Sequence, residues 1–164
     1  MQLNIQTLIN EPEVEFDETV EVDLKDANLG SEQTTYPARV YGKITRLGNN
    51  YIVRGAVDTT VKLMCGRCLD EVDYNIHANL FNEFSSDLTY CEDEVILVKG
   101  TIIDLSDSIL EAILLELPFG FVCNEDCLGI CKVCGTNRNI DQCDCNQSVI
   151  DLRLEQFKDI FSEV

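Results

Sequence analysis

Eight of the nine cysteines fall in four close pairs, and thiols offered in pairs are first of all metal ligands. The pairs are Cys65 with Cys68, Cys123 with Cys127, Cys131 with Cys134, and Cys143 with Cys145. Structural zinc takes four ligands in a tetrahedron, commonly thiolates. A two-residue gap lets one tight turn aim both sulfurs at a single ion while its N–H groups face them. Gly66 and Gly135 supply the backbone freedom such turns use. Four pairs suffice for two closed four-sulfur sites, so one or two structural Zn2+ ions are expected.

Which pairs share an ion has to be argued from the chain. Cys131, Cys134, Cys143 and Cys145 are separated only by the loop 135–142, which contains Asn137 and Asn139. Closing a short loop costs little entropy, so these four form the first expected site. Cys65 and Cys68 follow a strand-like run and take Cys123 and Cys127 as the second. An alternative puts Cys127 in the tail site and leaves Cys143 or Cys145 spare.

Other thiol chemistries fit less well. Thioredoxin-type redox work uses C-x-x-C at a helix start, where the dipole lowers a thiol pKa. Cys65-Gly66-Arg67-Cys68 instead follows an extended run, and the residues after it still look extended. Iron–sulfur clusters also take four cysteines, but pairs spaced C-x-x-C and C-x-C look more like a ribbon than a ferredoxin run. A catalytic zinc keeps one position open and usually has His or carboxylate ligands, whereas an all-thiolate set is closed. His77 is the only histidine, in an alternating run that suits a strand surface, so no Ser–His–Asp set can be assembled. No glycine-rich phosphate loop is present. Cys91 stands alone and reads as a buried or idle thiol. No catalytic residues, no organic cofactor and no enzymatic activity are therefore expected. A zinc–thiolate regulatory or redox-sensing module is the alternative.

The elements that must position these sulfurs come in two kinds. Up to residue 100 the chain reads mostly as strands and turns. Val40–Leu47 and Tyr51–Leu63 are rich in β-branched and aromatic residues, with the turn Gly48-Asn49-Asn50 between them, which predicts a hairpin. Tyr74, Ile76, Ala78 and Leu80 alternate with polar residues, and Val95–Val98 is a short apolar run. From Leu105 the period changes. Ile109, Leu110, Ile113, Leu114 and Leu117 follow helical spacing, with Ser106 or Asp107 as N-cap and Pro118 as the stop. A last short helix is expected from Asp151, with Leu154, Phe157 and Phe161 on one face. The expectation is an α+β protein. Residues 1–121 would form an antiparallel β-rich body with a packed helix near 106–117, and 122–164 a small cysteine-rich, zinc-binding tail.

Charge narrows the partners. The chain carries 12 Lys and Arg against 30 Asp and Glu, a formal net charge of −18. Each closed site adds two positive charges and removes four thiol protons, so two sites take this to about −22. A broad nucleic-acid footprint needs a basic face, which excludes one here; any RNA contact would centre on Arg67, Lys132, Arg138, Arg153 and Lys158. The acid surplus is concentrated before residue 27, where a solvated surface is the simple reading and attraction to a basic protein the sharper one. An odd cysteine count, with no apolar run after Met1 and no basic residue before Lys25, leads us to expect no secretory leader and a reducing, cytoplasmic setting. The longest apolar stretch, Ile109–Val122, is broken by Glu111, Glu116 and Pro118 and suits no membrane span.

Taken together, Cys65-Gly66-Arg67-Cys68-Leu69, the helix ending Leu117-Pro118, the run C-L-G-I-C-K-V-C-G-T-N from Cys127, Cys143-Asp144-Cys145 and Asp151-Leu152-Arg153 resemble the YceD family. These are the large ribosomal RNA subunit accumulation proteins, and the likeness is to their longer, cysteine-rich branch. Lys132 stands where proline is usual and Arg138 where leucine is usual; neither alters the sulfur spacing. The resemblance implies a non-enzymatic role in 23S rRNA accumulation and assembly of the large ribosomal subunit. Its partners would be a ribosomal protein or a large-subunit assembly or processing factor.

Overall fold

The computed structural model describes residues 1–9, 11–27, 29–87, 95–98 and 100–145. Cys91, Arg153, Lys158 and the helix expected from Asp151 lie outside these residues. The chain forms β1 (Gln2–Asn4), β2 (Glu13–Asp23), β3 (Thr35–Leu47), β4 (Asn50–Met64), β5 (Glu71–Ser85), β6 (Val95–Leu97), β7 (Ile102–Asp104) and α1 (Ser106–Glu116). Short 3-10 turns at Ile5–Ile9 and Lys25–Ala27 interrupt the early strands. The main sheet runs β2-β3-β4-β5-β6, and β1 pairs with β7 in a separate two-stranded ribbon. The protein is α+β with a mostly antiparallel sheet. Its one departure is β6, which joins β5 in parallel, Glu83 opposite Val95.

Period-two alternation explains which face is dry. On β4, Tyr51, Val53, Val57, Val61 and Leu63 are buried, while Arg54 and Thr60 between them are exposed. On β5, Ile76, Ala78, Leu80 and Phe84 do the same. β2 is the strand the acid count hides. Phe16 and Val22 are buried and Val14 and Val20 half-buried, while Glu13, Glu15, Asp17, Glu21 and Asp23 occupy the other, exposed face. Arg39 answers Asp17 at 2.6 Å and Lys43 answers Glu13 at 3.1 Å across the β2–β3 pair. Gly42 and Gly55 face each other in register on β3 and β4. A Cβ on Gly42 would strike the Arg54 carbonyl and one on Gly55 the Tyr41 carbonyl, so the strands come together there only as glycines.

The expected hairpin forms between β3 and β4. Gly48 takes φ +65, and the ladder closes with Leu47 opposite Asn50. Helix α1 packs on β5 and β4. Leu105, Ile109 and Ile113 are fully buried beside Ile103 and Phe84, at about 1.5–3 kcal/mol for each large side chain removed from water. The helix start differs from the Ser106 or Asp107 expected. Leu105 occupies the N-cap and offers no side-chain cap. Its burial in the core moves the capping task one residue back: Asp104 Oδ1 accepts the Ser106 N–H at 2.9 Å and its hydroxyl at 2.7 Å. At the other end Leu117, before Pro118, is extended at ψ 131, where proline's ring forces it.

The residues cluster into two compact units: Met1–Met64 with Glu71–Phe121, and Cys65–Asp70 with the chain from Val122. Among the described residues the first holds the large apolar cluster. Among the described residues no helix is long and apolar enough to cross a membrane.

Candidate metal centres

The second unit is built on two turns that match bond for bond. At Cys65-Gly66-Arg67-Cys68, the Leu69 N–H donates to the Cys65 carbonyl at 3.0 Å and the Cys65 N–H to the Asp70 carbonyl at 2.9 Å. The Arg67 N–H points at Cys65 Sγ, 3.4 Å away. At Cys131-Lys132-Val133-Cys134, Gly135 donates to the Cys131 carbonyl at 2.9 Å and Cys131 to the Thr136 carbonyl at 2.8 Å. The Val133 N–H points at Cys131 Sγ, again at 3.4 Å. The fifth position of each turn is left-handed. Gly135 takes φ +76 there without strain, whereas Leu69, at φ +63, is the one non-glycine residue with positive φ among those described. A β-carbon in that region costs about 1 kcal/mol.

Each turn meets a second, looser pair. Cys123 and Cys127 flank a loop in which the Cys127 N–H bonds the Asn124 carbonyl at 3.0 Å. Arg67 Nη1 donates to the Glu125 and Cys127 carbonyls at 3.1 and 3.2 Å. An arginine that its charge marks for RNA is thus engaged in holding this loop. The sulfurs of Cys65, Cys68, Cys123 and Cys127 all lie within 4.8 Å of one another, and so do those of Cys131, Cys134, Cys143 and Cys145. Cys65 and Cys127 are 4.0 Å apart, Cys68 and Cys123 3.6 Å. Four sulfurs about 2.3 Å from one zinc sit roughly 3.8 Å apart along each tetrahedral edge. A disulfide needs about 2.05 Å, and all eight are free thiols. Either tetrad can therefore hold a metal ion.

The electrostatics of the two groups run in parallel. Burial works against ionisation of Cys65, but N–H groups of Cys123, Cys68 and Arg67 outweigh it and hold the thiol at about 6. The Thr136 hydroxyl and N–H bring Cys134 to about 6 as well. Cys127 is also lowered, the Asn139 amide and Gly129 N–H overcoming burial. Backbone N–H groups of Cys134 and Val133 lower Cys131. The other members move the opposite way. Burial and the neighbouring Cys127 raise Cys123, Cys131 raises Cys143, and Cys134 pushes Cys145 up to about 12. Cys68 is raised too, its burial and Cys65 prevailing over the Asp70 N–H. Each tetrad thus has two thiols prepared to ionise and two held back by burial and by hydrogen bonding with the neighbouring sulfurs. A dication at the centre favours the thiolate form of all four.

Burial separates the two. Cys65, Cys68 and Cys127 are buried and only Cys123 is open. In the other group Cys131 alone is buried and Cys134 is exposed. Asn137 and Asn139, noticed in the sequence only as loop residues, prove to be part of the surroundings. Asn139 Nδ2 lies 3.4 Å from Cys127 Sγ, and Asn137 Nδ2 donates to Asp70 Oδ2 at 2.8 Å. No spacing rule marks an amide that reaches another pair's sulfur. His77 stays apart, exposed on β5 and 2.6 Å from Asp58.

A mixed sheet carrying one helix, with a second unit that gathers eight thiols into two tetrads able to bind metal, is the class of molecule these features define. The chain belongs to the YceD family, whose model, described as large ribosomal RNA subunit accumulation protein YceD, matches residues 53–161. An uncharacterized Mycobacterium tuberculosis protein is 36% identical over 98 residues, covering 57% of this chain and 47% of its own. A Mycobacterium leprae protein is 33% identical over 100 residues, covering 58% and 46%. A chloroplastic Arabidopsis thaliana protein, the large ribosomal RNA subunit accumulation protein YCED homolog 1, is 26% identical over 160 residues, covering 79% and 48%. The chain spans about half the length of the curated relatives it matches. No solved structure matches it significantly.

Proposed function

We propose that the protein promotes accumulation of the large-subunit 23S rRNA and assembly of that subunit by binding rather than catalysis, with both tetrads holding structural zinc. The observation that carries this reading is the extent of the family match. Residues 53–161 include all eight paired cysteines, so the stretch the family model matches spans both tetrads. Cys65, Cys68, Cys123 and Cys127 would hold one ion, and Cys131, Cys134, Cys143 and Cys145 the other. With four thiolates each, neither ion keeps a position open for substrate. The acidic face of β2 and the net charge of −18 favour a basic protein partner, such as a ribosomal protein or an assembly or processing factor, over RNA itself. Pull-down from lysate across a salt series tests the binding role: large-subunit proteins should be recovered at low salt and lost as salt rises. An eluate free of them at low salt overturns it. Zinc analysis of protein purified under reducing conditions should return two ions per chain.

A second reading has one specific observation in its favour. Only Cys131 of its tetrad is buried, whereas three of the four thiols of the other tetrad are, so oxidants can reach the Cys131–Cys145 centre more readily than its neighbour. Zinc release on mild peroxide, reversed by reductant and altering partner recovery, would support a regulatory role for it.

A further inference from the structure

The two tetrads are linked by side chains that belong to neither. The loop 135–142 is enclosed by Cys131 and Cys134 on one side and Cys143 and Cys145 on the other, and its two asparagine amides serve the opposite tetrad. Asn139 Nδ2 is shared between Cys127 Sγ at 3.4 Å and Asn137 Oδ1 at 2.9 Å. Asn139 Oδ1 accepts the N–H of Leu128, the residue after that ligand, at 2.8 Å. Asn137 Nδ2 bonds Asp70, whose carbonyl accepts the Cys65 N–H. On the same side Ile130 donates to the Arg67 carbonyl at 2.9 Å and bridges to Asn137. Both C-x-x-C turns are thus wired to one loop.

That loop is tied at its two ends by the sulfurs of a single tetrad. Without an ion there, thiol–thiol hydrogen bonds replace metal bonds between Cys131 and Cys134 and the Cys143–Cys145 end, and ordering the asparagines costs more entropy. We propose that the Cys131–Cys145 tetrad fills first and, by fixing Asn137 and Asn139, raises the metal affinity of the tetrad formed by Cys65, Cys68, Cys123 and Cys127. The proposal rests on reading both tetrads as metal centres. The order follows from loop closure: the first tetrad comes from one short stretch, whereas the second must bring Cys65 and Cys68 to distant Cys123 and Cys127. The coupling follows from the amide on Cys127, since losing an outer partner of a metal ligand costs about 10–100-fold in affinity. Asn139 is a positioning residue here and touches no ion.

Cadmium titration of the full-length chain, followed by cadmium NMR and chelator competition, tests this. The wild type should show two four-sulfur signals, the one lost in Cys131→Ser/Cys134→Ser appearing first. Asn139→Leu should keep both signals while weakening only the second-filling one, by about tenfold or more. Cys143→Ser/Cys145→Ser should weaken the remaining centre similarly, and adding Asn139→Leu to it should cost nothing further. Additive losses would mean that Asn139 acts locally, which overturns the route through the loop. Equal affinities in wild type and Asn139→Leu overturn the coupling while leaving the metal reading intact. A wild type that takes up no cadmium overturns the metal reading beneath it. Asn139→Leu retains every cysteine, so its result stands even if the serine variants fail to fold.

Discussion

The sheet unit and the thiol unit solve the same problem by different means. The first places more than twenty apolar side chains out of water, most of them on β-strands and one α-helix. The described residues of the second have no such resource. Among them the one buried cluster consists of Cys65, Cys68 and Cys127, and Leu69, Leu128, Val133 and Ile140 stand exposed around it. Hydrophobic burial can hold the sheet unit alone, whereas short turns that gather sulfurs without a core need an ion to fix them. The difference teaches where the protein can be broken selectively.

Metal removal should produce the largest effect. Structural zinc bound through four thiolates contributes on the order of 10 kcal/mol to folding small units. Chelation under reducing conditions is expected to collapse amide dispersion for residues 65–70 and 122–145 while leaving signals from β2 to β5 and α1 in place. NMR of the labelled chain before and after chelator reads this directly. If both sets of signals survive, the contrast between the units fails.

The converse break lies at the facing glycines. Gly55→Ala puts a methyl against the Tyr41 carbonyl, where neither backbone can yield cheaply. We expect a loss of about 3 kcal/mol from the sheet unit, at the upper end of overpacking costs, with zinc content of the purified protein unchanged. Denaturant melts report the first quantity and metal analysis the second.

Much of this was legible in the residues, for reasons that differ between the units. The β3–β4 hairpin and α1 announced themselves because a half-buried strand and a half-buried helix each print their period on the chain. Leu117-Pro118 marked the helix end because proline restricts the residue before it. β2 was harder. Its outward positions are nearly all acidic, and five carboxylates mask the Val14, Phe16, Val20, Val22 alternation beneath a charge signal. The capping role of Asp104 was hidden because Leu105, a core residue, took the position a Ser or Asp would ordinarily fill. For the sulfurs, spacing alone offered two arrangements for Cys127. The hydrogen bonds around the two turns, and the reach of Asn139, are long-range facts no local pattern carries.

A finer contrast separates the two C-x-x-C turns. They share every backbone bond described above but differ at the fifth residue, glycine in one and leucine in the other. Leu69→Gly removes the left-handed strain and adds freedom to the unfolded chain, two effects that partly cancel. The net gain should be up to about 1 kcal/mol, or at most roughly fivefold in metal affinity at the Cys65 tetrad. Chelator competition measures it. A weaker centre after the change would mean that the exposed leucine side chain contributes contacts the turn requires.

The smallest expected effect concerns acid. Ser106, through its hydroxyl and N–H, and Gln2 hold the Asp104 carboxyl at about 2, below its ordinary 3.8. A carboxyl whose folded pKa is depressed adds stability above its unfolded value and loses it as pH falls toward the folded one. The contribution of Asp104 is therefore complete above about pH 4 and disappears between there and pH 2. Its side chain is half exposed, so solvent screens it and the effect on a melt will be slight. Asp104→Asn keeps an acceptor for the Ser106 N–H but no charge to titrate, and should melt slightly below the wild type at neutral pH and converge with it near pH 2, flattening this part of the acid limb. A variant that loses as much stability at pH 7 as at pH 3 would show that its carboxylate shapes the start of α1 through geometry, with ionisation playing no part.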